Sequence, residues 1–227
     1  MNNPKQLTFP WSKINKSLLE EFYFEESNLA VKDALLRDDD LFLYGISQTG
    51  KTFLLQSVCN YYSSKDKLSL YVPLKEAQNY GSKILDSLDQ LNLICIDDIE
   101  LVARNKEWEI ALFNLINSCL DSDCRIIFCS SLNPSSIEFE LQDLISRIKK
   151  IDHIELMSVK SRNLPKAIKF IADIRSINLG ENEIKYLITY SKRSISELIS
   201  IINKLDDLSM QLKRRITIPL IKKLFGN

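Results

Sequence analysis

Two glycines, a lysine and a threonine stand at the spacing that phosphate-binding loops use. Gly45 and Gly50 are separated by four residues and are followed directly by Lys51 and Thr52, which matches the pattern G-x-x-x-x-G-K-[ST]. Glycines let the backbone wrap closely around phosphate oxygens, so that successive N–H groups and the start of a helix point at the anion. Lys51 would neutralise the outer phosphates, and the Thr52 hydroxyl would bind Mg²⁺. The spacing therefore predicts a site for ATP or ADP.

The sequence around this loop favours the same interpretation. The apolar segment Leu41-Phe42-Leu43-Tyr44 is typical of a buried strand, and a helical pattern begins after the second glycine. Glycine is scarce in the chain, with five in total, and two of them fall at the required positions. The residues expected to contact the nucleotide are Gly45, Ile46, Ser47, Gln48, Thr49, Gly50, Lys51, Thr52 and Phe53.

Two carboxylates follow another apolar segment. Residues 91–96 read as a strand and lead directly into Asp97 and Asp98. In a doubly wound sheet, the strand ends beside the phosphate loop meet the ligand. We therefore expect Thr52 to bind Mg²⁺, Asp97 to hold the same ion through water, and Asp98 to orient or deprotonate an attacking water. An acidic pair that only caps the turn is the alternative.

The elements that must position these groups alternate along the chain. Strands are expected at 41–44, 68–72, 91–96, 125–129 and 152–156, and helices at 28–37, 51–62, 82–88, 107–120 and 139–147. This alternation requires a parallel sheet covered on both faces, hence a three-layer α/β/α sandwich. Beyond Met157, helical periodicity continues at 160–176, 181–191, 194–212 and 217–225.

We therefore expect three parts. Pro4 and Pro10 oppose helix in an extended arm at 1–12, which precedes an α/β nucleotide-binding domain at 13–157 and a small all-α lid domain at 158–227.

Composition excludes two classes of function. The 30 lysine and arginine residues balance 30 aspartate and glutamate residues, so the positive field that drives nonspecific DNA binding is absent. No apolar stretch is long enough to cross a bilayer, and the first residues do not resemble a secretory signal, so a cytoplasmic protein is expected. The five cysteines stand mostly in apolar stretches and His153 is the only histidine, which favours reduced core cysteines over a zinc site.

Several further segments are similar to AAA+ ATPases of the DnaA initiator type. They are Gln6-Leu7-Thr8-Phe9-Pro10, Tyr71-Val72-Pro73-Leu74, residues 93–100, Trp108-Glu109-Ile110-Ala111-Leu112-Phe113, Ser146-Arg147 and Ile216-Thr217-Ile218-Pro219. The resemblance covers nearly the whole chain. It implies an AAA+ module without the initiator's own DNA-binding domain.

The resemblance also implies partners. In this family an amino-terminal peptide binds the DNA polymerase sliding clamp, and Gln6, Leu7 and Phe9 look like that peptide. Arg147 matches the arginine that reaches into a neighbouring subunit's nucleotide site. Together these features imply a negative regulator of replication initiation, which stimulates hydrolysis of the ATP bound to the initiator DnaA. Arg147 as an ordinary surface arginine is the alternative.

Two departures from the family pattern suggest a structural role for the protein's own nucleotide. Ser196 stands where initiators carry a lid arginine, and Arg193 lies about one turn earlier. Ser130-Ser131 follow the fourth strand, where a more strongly polar group is expected. We therefore expect weak or no intrinsic ATPase activity.

Three questions stay open on the sequence alone. The aromatic residues Phe22, Tyr23 and Phe24 either stack on the adenine or fasten the arm to the core. The rival functions are a helicase-loader or transposition-type ATPase acting on single-stranded DNA, and a shortened initiator. A homodimer is compatible with the sequence as well.

Overall fold

The computed structural model describes residues 17–191 and 194–225. Within them, five strands form one sheet in the order β2-β3-β4-β1-β5, and every neighbouring pair is parallel. The strands are β1 Leu41–Tyr44, β2 Ser69–Pro73, β3 Leu93–Asp97, β4 Arg125–Ser130 and β5 Asp152–Glu155. The helices are α1 Leu29–Leu36, α2 Lys51–Ser63, α3 Leu74–Ala77, α4 Lys106–Ser122, α5 Gln142–Ile148, α6 Leu164–Ile174, α7 Glu181–Tyr190, α8 Ile195–Leu212 and α9 Ile218–Phe225.

Successive strand residues point to opposite faces of the sheet, and each face has its own apolar core. Phe42 and Phe128 pack with the buried residues of α4 and α5. Their neighbours Leu43 and Cys129 pack with those of α1 and α2 on the other face. Both faces are covered, which is why the strands read as continuous apolar runs. The predicted three-layer α/β/α sandwich is confirmed.

The carboxyl-terminal helices form a separate core. Helix α6 places apolar residues at helical spacing on one side, and these meet matching faces of α7, α8 and α9. The buried residues of this cluster are Leu164, Ile168, Ala172, Ile177, Leu179, Ile184, Leu187, Leu198, Ile201, Ile202, Leu205, Ile216, Leu220 and Ile221. The predicted helical lid is confirmed.

Two helix predictions were wrong in detail. The segment predicted as a helix at 82–88 consists of two short 3₁₀ turns, because Gly81 and Ser87 adopt positive φ and Asp86 is extended between them. The helix predicted from 139 begins only at Gln142, because the chain before it is extended. Elsewhere the element ends differ from the prediction by a few residues.

Two other features of the described residues bear on the expectations. All five cysteines are buried and free, as the apolar sequence around them suggested. No helix in the described ranges is long and apolar enough to span a bilayer.

Candidate nucleotide-binding site

The loop between β1 and α2 fits glycine alone at both ends. A Cβ at Gly45 would lie 2.4 Å from the carbonyl oxygen of Leu156, on the segment after β5. Gly50 has a φ of +97°, and a Cβ there would lie 2.7 Å from Cε2 of Phe22. Both glycines are therefore required by close packing, and Gly50 is required by its left-handed backbone as well.

The lysine of the loop lies inside the curve of the backbone. Lys51 is only 7% exposed, and its Nζ donates to the carbonyl oxygens of Gly45 at 2.6 Å and Ile46 at 3.0 Å. The Thr49 hydroxyl also donates to the Ile46 carbonyl, at 3.0 Å. Because Lys51 is also the first residue of α2, its charge and the positive end of the helix dipole lie together. This arrangement favours an anion at the loop.

Sheet topology brings the predicted metal ligands together. Strand β4 lies between β1 and β3, so the carboxyl ends of these three strands share one edge. There the Thr52 hydroxyl donates to Oδ2 of Asp97 at 2.6 Å, and the Tyr71 hydroxyl donates to the same atom at 2.9 Å. Asp97 is 2% exposed, and its Oδ1 accepts the backbone N–H of Asp98 at 3.1 Å. A hydroxyl and a carboxylate in contact are the oxygen ligands that Mg²⁺ prefers, so this pair fits the metal.

Asp98 lies next to this pair in a strained backbone conformation, with a φ of +58°. Burial raises the pKa of its carboxyl, and the charges of Asp97 and Glu100 raise that pKa further, while Lys51 acts in the opposite direction. A carboxylate with a raised pKa accepts a proton more readily than an ordinary one. Its chemistry is therefore compatible with the predicted role toward water.

The two serines at the carboxyl end of β4 are already hydrogen-bonded: Ser130 is the last residue of the strand, and Ser131 follows it. Ser131 donates both its backbone N–H, at 2.8 Å, and its hydroxyl to Oε1 of Glu100. The buried Ser130 accepts the backbone N–H of Leu132 at its hydroxyl oxygen, at 2.9 Å. Among the described residues, Oε2 of Glu100 is buried without a hydrogen-bond partner. Sequence reasoning missed Glu100, although its place just after the two aspartates was a usable signal.

A mainly apolar cavity of about 210 Å³ lies between the α/β core and the lid, beside the loop. Phe22 and Tyr23 line it, together with Phe53 of α2. Phe24 does not line the cavity: its ring centroid lies 4.7 Å from that of Phe22, and its side chain packs against the core. Phe22 and Tyr23 thus line the cavity, and Phe22 and Phe24 both pack against the core.

Two buried polar residues hold the segment that connects the core to the lid. Asn28, 1% exposed, donates its amide to the Met157 carbonyl at 2.8 Å and accepts the Met157 N–H at 3.0 Å. Glu25 accepts the Lys160 N–H at 3.0 Å and also the side-chain amide of Asn163. Sequence reasoning missed both, because their partners lie more than a hundred residues away along the chain.

The lid also contacts the phosphate loop directly. The Ser196 hydroxyl donates to the carbonyl oxygen of Gln48 at 2.9 Å, and the Ser194 hydroxyl donates to its side-chain oxygen at 2.8 Å. Gln48 has a φ of +68°, which turns its carbonyl within reach of the lid. Ser196 of the lid thus touches the loop backbone. Arg193 lies outside the described residues.

Arg147 lies at the other edge of the sheet. It is in the last turn of α5 and lines a cavity of about 390 Å³ with Asp39, Asp40 and Asp152. Those aspartates precede β1 or begin β5, so they mark the amino-terminal edge, whereas the phosphate loop follows the carboxyl end of β1. Within the described part of the chain, no ion pair holds Arg147. The structure therefore does not bring Arg147 to the protein's own phosphate loop.

The three predicted clamp-binding residues, Gln6, Leu7 and Phe9, lie outside the described residues.

A parallel sheet in this strand order, with a glycine-lysine loop after β1 and a helical lid, defines a P-loop fold of the AAA+ type. Residues 24–151 match the family model described as the bacterial DnaA ATPase domain, and residues 160–225 match the one described as the lid domain of Hda. An uncharacterized protein from Haemophilus influenzae is 32% identical, over 98% of this chain and 99% of that protein. The chain therefore belongs to the DnaA-related AAA+ family and carries an Hda-type lid.

Solved structures show the same fold. Domain III of the replication initiation protein DnaA from Thermotoga maritima superposes with a TM-score of 0.79 at 20% identity, over 95% of this chain and 98% of that one. The AMPPCP-bound DnaA from Aquifex aeolicus superposes with a TM-score of 0.71 at 23% identity, over 86% of this chain and 67% of that one.

Proposed function

We propose that the protein binds ADP or ATP with Mg²⁺ and uses the nucleotide mainly to fix its own shape. The backbone from Gly45 to Thr52 would hold the phosphates, and Phe22, Tyr23 and Phe53 would enclose the base. Thr52 and Asp97 would hold Mg²⁺, which neutralises phosphate charge when bound. The contact of Thr52 with Asp97, and the cavity beside the loop, support this assignment.

The groups around this site favour slow turnover of the protein's own nucleotide. Ser131 is bonded to Glu100 and Ser196 to Gln48, so neither hydroxyl is directed at a phosphate. A lid arginine would add positive charge near the outer phosphate, and serine cannot replace that charge. The proposed role of Asp98 toward water would therefore support only weak intrinsic hydrolysis.

We further propose that the protein is a negative regulator of replication initiation that supplies Arg147 to the ATP site of a bound initiator, DnaA. The observation that carries this proposal is the position of Arg147, at the edge of the sheet opposite the protein's own loop and without an ion pair in the described region. An arginine there serves another subunit's nucleotide better than its own. A guanidinium that neutralises charge developing on the γ-phosphate accelerates hydrolysis about 10³–10⁵-fold in other NTPases.

The sliding clamp would bring the regulator to DNA. Gln6, Leu7 and Phe9 suit a short extended peptide, whose two apolar side chains fill a groove while the amide bonds at its edge. Such a peptide loses conformational entropy when it is ordered, so its affinity for one clamp site should be modest.

The test is hydrolysis of ATP prebound to the initiator DnaA, measured with and without clamp loaded on DNA. Replacing Arg147 by alanine should lower the stimulated rate by at least about 100-fold and leave clamp binding unchanged. Lys149→Ala is the matched control, because it removes a neighbouring exposed cation from the same helix end. Gln6→Ala should weaken clamp binding, with stimulation recovered at higher protein concentration.

Two results would refute this function. The first is full stimulation by the Arg147→Ala protein. The second is stimulation that does not depend on the clamp, in both the parent and the Gln6→Ala protein. Tight, salt-sensitive binding to single-stranded DNA without stimulation would favour the helicase-loader alternative instead.

A further inference from the structure

A glutamate on α4 is buried as deeply as the apolar core around it. Glu109 is 1% exposed, and its carboxylate accepts three backbone N–H groups. Oε1 accepts the N–H of Arg104 at 2.8 Å, and Oε2 accepts that of Leu141 at 2.7 Å. The N–H of Glu140 lies between the two oxygens, at 3.2 and 2.9 Å. A buried carboxylate is costly unless its oxygens are paired, and here the backbone pairs both.

Two of these N–H groups lie just before α5, the helix that carries Arg147: Leu141 is its N-cap residue, and Glu140 precedes that residue. Leu141 is the residue that caps the amino end of α5, and no side-chain cap of its own bonds there within the described chain. Backbone N–H groups at a helix start need acceptors, and a negative charge there also favours the helix dipole. Glu109 therefore fixes, from α4, the two residues that lead into α5.

The bonds from Glu109 fix the entry to α5, and the buried side chains of Leu144 and Ile148 fix its face against the core. The helix has seven residues, too few to be stable without contacts at its ends and along its face. Arg147 lies in its last turn, about 9 Å along the helix axis from Leu141 at 1.5 Å per residue. A small tilt of α5 about its amino end would therefore move the guanidinium, because Arg147 lies near the far end of the helix.

The third N–H group belongs to Arg104, in the segment that follows the two aspartates. Arg104 follows the 3₁₀ turn Ile99–Val102, which begins directly after Asp98. Glu109 thus holds together the segment that leaves the two aspartates and the segment that enters α5. The same two segments are also joined at the surface, where Arg104 pairs with Glu138 at 2.7 Å.

We propose that Glu109 is a positioning residue for Arg147: its carboxylate fixes α5 so that the arginine meets the initiator's ATP in the required geometry. This inference rests on the proposed function of Arg147. Misplacing a reacting group by about 1 Å can cost on the order of 100-fold in rate, so a modest shift of α5 is sufficient for a measurable effect.

Glu109→Gln is the decisive variant. The amide has nearly the shape of the carboxylate, but its NH₂ group cannot accept, so in either orientation a backbone N–H faces another N–H. We expect the maximal stimulated rate of initiator hydrolysis to fall about tenfold or more. The half-saturating concentration and the nucleotide affinity should change less than about threefold, since Glu109 is buried and makes no hydrogen bond to the phosphate loop.

A double variant tests whether Glu109 acts through Arg147. In the Arg147→Ala protein, adding Glu109→Gln should cause no further loss of rate, because the group that it positions is gone. Glu138→Gln is the matched control: it breaks the exposed pair between the same two segments and should behave like the parent.

If Glu109→Gln does not fold, a pair of variants at the cap replaces it. Leu141→Pro removes the donated N–H at a φ of −76° that proline tolerates, whereas Leu141→Ala keeps the N–H and loses the side chain. The maximal rate should be lower for the proline variant than for the alanine variant.

The outcomes separate the two proposals. Loss of stimulation in Arg147→Ala together with a full maximal rate in Glu109→Gln overturns this inference and leaves the proposed function standing. A loss in Glu109→Gln that appears only in the half-saturating concentration, or that adds fully to Arg147→Ala, overturns it too. Full stimulation by Arg147→Ala overturns both.

Discussion

The adjacent aspartates at the end of β3 should respond to the same substitution with opposite changes in stability. Asp97 accepts three hydrogen bonds, from Thr52, Tyr71 and the Asp98 N–H, at 2.6, 2.9 and 3.1 Å. The carboxylate of Asp98 lies close enough to Asp97 and Glu100 for their charges to raise its pKa. We therefore expect Asp97→Asn to destabilise the nucleotide-free protein and Asp98→Asn to stabilise it slightly.

The magnitudes follow from these contacts. Hydrogen bonds to a charged acceptor are worth about 1 kcal/mol more than neutral ones, and Asp97 accepts three of them. Asp97→Asn should then lower the free energy of unfolding by about 2–3 kcal/mol, or roughly 5–10 °C in Tm for a chain of this size. Removing one of two adjacent like charges at half-buried Asp98 should add up to about 1 kcal/mol. Asparagine also tolerates the left-handed backbone of Asp98, so no conformational cost offsets this gain.

The pH dependence gives the second part of the test. Because the folded-state pKa of Asp98 lies above its ordinary value of 3.8, the folded protein holds the proton more tightly than the unfolded chain. The stability that this proton supplies is present at low pH and is lost as the pH rises through the folded-state pKa. The gain from Asp98→Asn should therefore be largest at neutral pH and shrink toward zero as the pH falls to about 4.

The measurement is thermal unfolding of the nucleotide-free parent and both variants, followed by circular dichroism from pH 7 downward. Equal losses of Tm in the two variants would refute the reasoning. So would a gain from Asp98→Asn that grows as the pH falls.

Three further predictions concern the loop and the lid. Lys51→Ala removes a buried cation from the phosphate loop and should raise the Kd for ADP or ATP at least about 30-fold by calorimetric titration; an unchanged Kd would contradict the site assignment. Asn28→Asp replaces the amide that donates to the Met157 carbonyl with an oxygen, so the free energy of unfolding in urea should fall by about 2–3 kcal/mol. An unchanged urea midpoint would show that Asn28 does not hold the segment between core and lid. Ser196→Ala removes the hydrogen bond to the Gln48 carbonyl and should speed amide hydrogen exchange in the first turn of α8 about two- to fivefold. Unchanged exchange would show that this contact does not hold the lid.

The sequence predicted those features that depend on local pattern. The loop from Gly45 to Thr52 and strand β1 were readable because each needs a particular run of neighbouring residues. The contact of Thr52 with Asp97 followed from the rule that parallel strands meet at one edge. In each case a few adjacent residues and a general rule of topology were enough.

Other features depend on distant partners and were not readable. Glu25, Asn28 and Glu109 look like surface residues in the sequence, and only folding reveals the backbone groups that they satisfy. The helix predicted at 82–88 failed because Ser87 adopts a positive φ, a choice that serine's own preferences do not signal. The roles of polar residues whose hydrogen-bond partners are distant in the sequence are therefore what sequence patterns predict least well.

The two serine contacts with Gln48 bear on whether the protein's own nucleotide controls when it is active. Because the lid serines bond to Gln48 of the phosphate loop, the position of the lid should depend on whether the loop is occupied and ordered. These two contacts do not distinguish ADP from ATP. Under the proposed function, ADP and ATP should then support the same active conformation. Hydrolysis of the protein's own nucleotide would therefore not switch its activity on or off. The timing of its activity would then depend on when its partners become available.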